Sequence, residues 1–376
     1  MTHAIRRTRK VDSLIKATLI GAALSLLLGA CGQSMPDELK PAVDQYHLNT
    51  VASTDLSAPD TSRALLQLSH DACNRDAMNV LAARLEHTGY RREAANALVQ
   101  FVDQCGPANA FLDAAAKDLM AVGDYQAAAS LGERLVQANA TNPQFYFTRG
   151  RAREGAKDYD AALADYMQAI ALIPDLSSVS SNLFIRAADM HAKAGRYCEA
   201  ISMIRMWMSA APGRANHPQA QQQIASYATR ESCPTSFASG SDSFARQAGK
   251  TIQVRAVVNG VSGTFIVDTG ATYVFVTRNF AQRAQLPLEQ ARDVRLTTAN
   301  GPRVALLTQA ASVKVGHVAA DHVDVTVEDS HGRALGNGVD GLLGQSFLSR
   351  FQTEFTPTHW SIRPAPQGVA GSTHAG

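Results

Sequence analysis

One carboxylate in this chain has neighbours that suit acid–base chemistry. Asp268-Thr269-Gly270 follows the apolar run 264–267. A strand that delivers a carboxylate onto a tight, glycine-containing turn suits an acid that shares one proton with a second carboxylate and activates a water between the two. The sequence contains this loop once. A pair of such carboxylates would therefore have to come from two copies of the chain, related by a two-fold axis.

Two later segments extend the pattern. Asn300-Gly301 lies between two strand-like runs, as at the tip of a tight hairpin. Leu342-Leu343-Gly344 follows a turn and combines two apolar residues with a glycine. The chain therefore presents a strand, an Asp-Thr-Gly loop, a hairpin and an apolar-apolar-glycine segment in that order.

This order of motifs, over about residues 249–363, resembles the retropepsin-like aspartic peptidases of clan AA. The resemblance implies an all-β peptidase domain that works as a homodimer on a peptide or protein substrate, with no cofactor and no metal. Asp268 would be the catalytic residue. Thr269 and Gly270 would support the catalytic loop, Thr269 through hydrogen bonds between the two subunits.

The same resemblance implies roles for positions around the loop. Ala271 and Thr272 would bind substrate beside the loop, while Asn300 and Gly301 would do so from the tip of a flap. The Leu342-Leu343-Gly344 segment would pack behind the loop in a structural role. Pro357 lies where the resemblance places a strand, although proline removes a donor from a β-ladder.

Other readings of the β-domain stay open at this level. Asp and Gly are ordinary turn residues, so Asp268 could lie on a surface turn of a small β-domain. A peptidase fold that only binds peptides is an intermediate reading. The alternative from another functional class is a non-catalytic periplasmic adaptor that binds peptides or proteins through the middle of the chain.

The first thirty residues predict export. Basic residues including Arg6 and Lys16 precede a short apolar stretch that ends in Leu28-Gly29-Ala30 before Cys31. This pattern is typical of a secretory signal peptide over 1–30, and it resembles a bacterial lipoprotein signal in which Cys31 is lipidated. The resemblance implies a lipoprotein of the cell envelope that faces the periplasm, with the outer membrane favoured. A plain signal peptide with an incidental cysteine is the alternative.

Four further cysteines remain in that compartment. An even number in an oxidising environment favours disulfides, and position suggests pairing Cys73 with Cys105 and Cys198 with Cys233. Each pair would bracket about one helical hairpin. A zinc site is the rival, but there is no Cys-x-x-Cys and no histidine at ligand spacing.

Charge excludes one class of partner. The whole chain carries a formal charge of +2, from 35 Lys and Arg against 33 Asp and Glu. Removing residues 1–30 takes away five basic residues and Asp12, which leaves thirty basic against thirty-two acidic residues. The resulting chain is near neutral, so the sequence predicts no binding to nucleic acid.

The middle of the chain is helix-periodic and repeats itself. Ala94, Ala128 and Ala162 are thirty-four residues apart, and each follows a turn. Thirty-four is the tetratricopeptide period, so residues of about 62–230 resemble a short tetratricopeptide array. The array could capture a peptide or protein, or it could serve as a rigid spacer. The stripe of Met203, Met206 and Met208 is interpreted as core and gap filling rather than a ligand surface.

Together these patterns predict a multidomain chain with an all-α tetratricopeptide-like helical repeat followed by an all-β retropepsin-like aspartic peptidase domain. The predicted boundaries are a signal peptide over 1–30, a polar tether over 31–61, helical repeats over 62–230, a linker over 231–248, the peptidase domain over 249–363 and a disordered tail over 364–376. Beyond the linker the apolar period changes from 3.6 to 2, as expected where helices give way to strands.

Overall fold

The computed structural model describes residues 35–299, 301–328, 335 and 338–365. Helices occupy the described chain up to residue 228, and strands dominate after it. The helices of the first region are α1 (Lys40–Gln45), α2 (Ser53–Leu56), α3 (Pro59–His70), α4 (Arg75–His87), α5 (Arg91–Cys105), α6 (Asn109–Ala121), α7 (Tyr125–Ala138), α8 (Pro143–Gly155), α9 (Tyr159–Leu172), α10 (Ser181–Lys193), α11 (Tyr197–Ser209) and α12 (Pro218–Ala228). The predicted fold class is confirmed.

Helices α4 to α11 form four successive helical hairpins with short turns. Three of these turns contain a glycine with positive φ, and in the α8–α9 turn Lys157 takes the same conformation at φ 66°. The small residue near the start of the second helix of each hairpin is completely buried, which lets the paired helices approach closely. These residues are Ala94, Ala128, Ala162 and Ala200.

The predicted polar tether is wrong over most of its length. Residues 37–56 form a short 3-10 helix followed by α1 and α2, and α3 already begins at Pro59. Leu39, Tyr46, Leu48 and Leu56 are buried in the core of the helical region. Leu39, Val43 and Tyr46 recur at helical spacing, so the segment carries an amphipathic pattern among its polar residues.

Two disulfides close parts of the helical region, and the predicted pairing is confirmed. Cys73 is bonded to Cys105, which ties the start of α4 to the end of α5. Cys198 is bonded to Cys233, which ties α11 to the segment that leads into the β-rich region.

The β-rich region contains two sheets and two short helices among its described residues. A seven-stranded sheet has the order β2-β3-β8-β4-β7-β6-β5, with β2 also pairing with β6, and a three-stranded sheet has the order β1-β10-β9. The elements are β1 (Asp242–Ala245), β2 (Gln253–Val258), β3 (Val261–Val267), β4 (Val274–Val276), α13 (Arg278–Arg283), β5 (Arg292–Thr298), β6 (Gly301–Val315), β7 (Val318–Glu328), β8 (Gly341–Leu343), α14 (Gln345–Leu348), β9 (Phe351–Phe355) and β10 (His359–Pro364).

Two boundaries differ from those drawn from the sequence, and Pro357 interrupts no strand. The predicted linker includes β1, which pairs with β10, and Ser239, which forms a β-bridge with Ala319. Pro357 lies in the turn between β9 and β10, where it removes no ladder hydrogen bond. Strand β10 runs to Pro364, and the remainder of the predicted tail beyond residue 365 lies outside the described residues.

The two regions share a core. The β5–β6 hairpin packs against α9, and Val294, Ala305 and Leu307 of this hairpin are buried in the hydrophobic core of the helical region. The rest of the β-rich region has its own core, in which Phe265, Phe280 and Trp360 are completely buried. The hairpin is therefore the part of the β-rich region that the helices hold most directly.

Candidate active site

The Asp-Thr-Gly loop is held at both ends by the seven-stranded sheet. Strand β3 ends at Val267, and the backbone N–H of Asp268 donates to the carbonyl of Leu343 at 3.1 Å. Inside the loop, the Asp268 carboxylate accepts a hydrogen bond from the backbone N–H of Gly270 at 2.9 Å. Thr269 and Gly270 are both exposed and Asp268 is half-buried, so the tip of the loop lies at the surface.

The apolar-apolar-glycine segment lies directly behind the loop. Strand β8 runs parallel to β3, with Leu342 opposite Ile266 and Leu343 opposite Val267, and it also pairs with β4. A Cβ atom at Gly344 would lie 2.0 Å from the carbonyl oxygen of Tyr273 and 2.8 Å from that of Ala271. Only glycine fits this position, because both neighbouring atoms belong to the backbone.

Residues after Gly344 complete the support. The Gln345 side-chain amide donates to the carbonyl of Thr269 at 2.8 Å, and the Gln345 backbone N–H donates to the carbonyl of Ala271 at 2.8 Å. The N–H of Ser346 donates to the carbonyl of Thr272 at 3.0 Å. The start of α14 therefore fixes the carbonyl groups of the loop and of the residues that follow it.

Asp340 locks the strand that leads into the loop. One carboxylate oxygen accepts a hydrogen bond from the N–H of Thr264 at 2.9 Å, and the other lies 2.6 Å from the guanidinium of Arg283. Asp340, Gln345 and Ser346 have no role predicted from the sequence, although all three flank the Leu-Leu-Gly motif. These three residues contact residues that are about 57 to 76 positions away in the chain. Sequence spacing alone does not predict such contacts.

The hairpin that the sequence placed at a flap tip is present. Strands β5 and β6 pair from Arg292 opposite Leu307 to Thr298 opposite Gly301. Gly301 has φ 95°, and a Cβ atom there would meet nothing within 4 Å, so this end of the hairpin is open. Asn300, the other predicted tip residue, lies outside the described residues, as do the predicted signal peptide and Cys31.

The structure thus brings Asp268, Thr269 and Gly270 together with Ala271, Thr272 and the Leu342-Leu343-Gly344 segment. Beyond this cluster the chain enters a buried environment. Burial raises the pKa of the Tyr273 phenol, and burial likewise raises the pKa of the Asp324 carboxyl on β7. Burial therefore biases Tyr273 and Asp324 towards their neutral forms.

Two absences can be stated for the part of the chain that the structure describes. It contains no group of three or more His, Cys, Asp or Glu residues placed to hold a metal ion. None of its helices has the length and apolar character needed to cross a membrane.

Comparison with known proteins places the β-rich region in context. Residues 254–350 match the sequence model of the family described as "gag-polyprotein putative aspartyl protease", so the match lies wholly within this region and includes the Asp268 loop and the Leu-Leu-Gly segment. The C-terminal domain is thus similar to retropepsin-like aspartic proteases. No curated protein matches the chain at a significant level.

Solved structures resemble the two regions separately. A retropepsin-like aspartic protease from Rickettsia conorii is 28% identical, with 33% of this chain and 92% of that chain covered and a TM-score of 0.27. MamA from Desulfovibrio magneticus RS-1 is 14% identical, with 49% and 99% covered and a TM-score of 0.36. YrrB, described as a TPR protein with an unusual peptide-binding site, is 14% identical, with 50% and 91% covered and a TM-score of 0.36.

Proposed function

We propose that this protein is an aspartic endopeptidase that hydrolyses peptide bonds with water, and that its active site forms between two copies of the chain. The observation that carries the proposal is the geometry of the loop. The Asp268 carboxylate stands on an exposed turn, it is oriented by the N–H of Gly270, and its backbone is fixed by β8. A half-buried carboxylate held by these hydrogen bonds suits a reaction that requires accurate placement of two acids.

The reaction would need a second carboxylate, and the sequence offers no second loop of this kind. Two Asp268 side chains related by a two-fold axis would lie about 3 Å apart, where both cannot comfortably ionise. The pair would hold one proton between them. The ionised partner would take a proton from water as general base, while the protonated partner would polarise the scissile carbonyl. No covalent intermediate forms.

Exposure around the loop supports dimer formation. Thr269 and Gly270 are exposed beside Asp268, so the tip of the loop is accessible to a second copy of the chain. The three-stranded sheet supplies a further surface, because β9 lies at its edge and carries Phe355, which is 39% exposed. An unpaired edge strand with an exposed aromatic residue suits pairing with another chain.

We also propose that Cys31 carries lipid and that the enzyme is anchored in the cell envelope facing the periplasm, with the outer membrane favoured. The two disulfides support an oxidising compartment. Anchoring would confine the protomers to one plane and raise their effective concentration, so weakly associating peptidase domains could pair at the membrane.

The proposal is tested with the full chain in detergent and a diverse peptide mixture from pH 4 to 8, with cleavage read by mass spectrometry. Asp268→Asn is the control, because it keeps the size of the side chain and its acceptor oxygen while removing the acid. Cleavage by the wild type alone supports the peptidase. Equal cleavage by both proteins, or none by a demonstrated dimer, contradicts it and favours the adaptor that binds through its helical repeats.

A further inference from the structure

A cavity of about 290 Å³ lies where the helical region meets the β-rich region. Helices α9 and α11 contribute a methionine-rich wall formed by Met167, Met203 and Met206. The β-rich region contributes Tyr273 and Leu307. Methionine is unbranched and polarizable, so such a wall adapts to guests of different shapes. Ligand pockets usually begin at about 300 Å³, so this volume suits one large side chain better than a whole ligand.

The cavity reaches the segment that follows the Asp268 loop. Thr272 and Tyr273 line it, whereas residues 268–271 do not. Ser346, whose N–H binds the carbonyl of Thr272, lines it as well. Arg292 and Leu307, at the base of the β5–β6 hairpin, form another part of its wall. A peptide held between the loop and the hairpin would therefore pass close to this cavity.

Asp160 and Arg292 line the cavity as exposed residues and Glu199 lines it as a half-buried one, whereas the more enclosed ionisable groups favour an uncharged guest. Burial lowers the pKa of His191 to about 4, and the neutral ring accepts a hydrogen bond from Arg196 at Nδ1. Burial raises the pKa of Asp324, whose carboxylate accepts a hydrogen bond from Gln309. The Arg350 guanidinium donates to four backbone carbonyls, so its donors are already engaged within the fold. A charged guest would have to displace these contacts.

The walls of the cavity are fixed in place by a contact between the two regions. Strand β5 lies at the edge of the seven-stranded sheet, and Gln168 of α9 pairs with its backbone as a peptide group would. The Gln168 amide donates to the carbonyl of Arg295 at 2.7 Å and accepts from its N–H at 3.1 Å. Thr297 also donates to the carbonyl of Leu172 at 2.7 Å. A pocket with walls held in this way loses little entropy when it binds.

We infer that this cavity between the two regions is a specificity pocket that receives a bulky, uncharged side chain of the peptide substrate. The inference rests on the proposed peptidase function. It gives the helical repeats a direct part in substrate choice, because two of the helices form the methionine-rich wall.

The test changes the size of the pocket from the helical side. Met203→Phe narrows the cavity and Met203→Ala widens it, while Met208→Phe is the matched control because Met208 lies on the same helix but does not line the cavity. Each full-length protein is incubated with a randomised decapeptide pool, and the cleaved peptides are sequenced by mass spectrometry. Thermal unfolding of each variant shows that it is folded.

The wild type is expected to enrich large apolar residues at one fixed distance from the cleaved bond. Met203→Phe, which narrows the pocket, should reduce the preference for large apolar residues by about tenfold in favour of smaller ones. Met203→Ala, which widens the pocket, should shift the preference towards Trp. Preferences at the other positions, and all those of Met208→Phe, should stay unchanged. If one Met203 variant does not fold, the other still gives a shift of known direction.

A second arm separates failure of the pocket from failure of the peptidase. The same pool is passed over immobilised Asp268→Asn protein with and without the Met203 changes, and the retained peptides are sequenced. Cleavage whose preferences do not respond to Met203 overturns the pocket and leaves the peptidase intact. If the wild type cleaves no peptide, the peptidase function is overturned. If, in addition, the peptides retained by Asp268→Asn protein are the same with and without the Met203 changes, the pocket is overturned as well.

Discussion

Replacing Gly344 with alanine tests whether the segment behind the loop is packed as tightly as the structure indicates. Gly344 has φ −101° and ψ −170°, an extended conformation that any residue adopts, so the cost comes only from the added methyl group. That group would lie 2.0 Å from the carbonyl oxygen of Tyr273 and 2.8 Å from that of Ala271. Overpacking typically costs 1–3 kcal/mol, and here neither backbone atom can rotate away. The expected loss is about 3 kcal/mol of unfolding free energy.

The assay can be confined to the β-rich region. The chain has two tryptophans, Trp207 in α11 and Trp360 in β10, so in a Trp207→Phe background the fluorescence of Trp360 reports unfolding of the β-rich region. Gly213→Ala is the matched control, because a Cβ atom at Gly213 meets nothing within 4 Å and its conformation carries no left-handed strain. Urea unfolding, followed by Trp360 fluorescence, gives the unfolding free energy of the Gly344→Ala and Gly213→Ala proteins for comparison. A Gly344→Ala protein within about 0.5 kcal/mol of the control would refute the packing argument.

Three further predictions concern the regions around the site. A Cys198→Ala/Cys233→Ala double variant should lower the unfolding free energy by about 2–4 kcal/mol, because the lost disulfide closes a loop with a sequence separation of 35. Equal urea midpoints for the variant and the wild type would contradict this. Burial lowers the pKa of His191 in the folded protein to about 4, against an ordinary value of 6.5. The unfolded state therefore binds the proton first as the pH falls, so the unfolding free energy should decrease by about 2–3 kcal/mol between pH 6.5 and 4. His191→Gln should flatten that dependence, and an unchanged slope would count against it. Gln168→Ala should speed hydrogen exchange at the Arg295 amide by about tenfold, because the Gln168 side chain accepts a hydrogen bond from the Arg295 N–H. The Val325 amide serves as the reference, and unchanged exchange at Arg295 would disprove the contact.

The sequence predicted most readily those features that local chemistry determines. The thirty-four-residue spacing of Ala94, Ala128 and Ala162 identified the helical hairpins, because the close approach of paired helices needs a small residue at that position in every repeat. The Asp-Thr-Gly loop and the hairpin were visible as turns between strand-like runs. The disulfide pairing followed because each pair brackets about one helical hairpin, with separations of 32 and 35 residues.

Features that depend on contacts between distant residues could not be predicted in this way. The burial of Leu39 and Tyr46 requires the neighbouring helices to cover them, and the polar residues between them favoured a tether instead. The interpretation of Met203 and Met206 as core residues was right about their burial, but their place in a cavity that Thr272 and Tyr273 also line depends on how the two regions dock. Gln168 and Arg295 are 127 positions apart, and no periodicity relates them.

Mixing of subunits tests whether the acid pair comes from two chains. Full-length wild-type and Asp268→Asn proteins are combined in equal amounts in lipid vesicles, under conditions in which the subunits exchange. The rate of peptide cleavage is compared with that of wild type alone at the same total protein concentration. If each active site needs Asp268 from both chains, only about one quarter of the dimers are active, and the rate should fall to about one quarter. A rate of about one half would show that each chain works with its own acid, which would contradict the shared dyad.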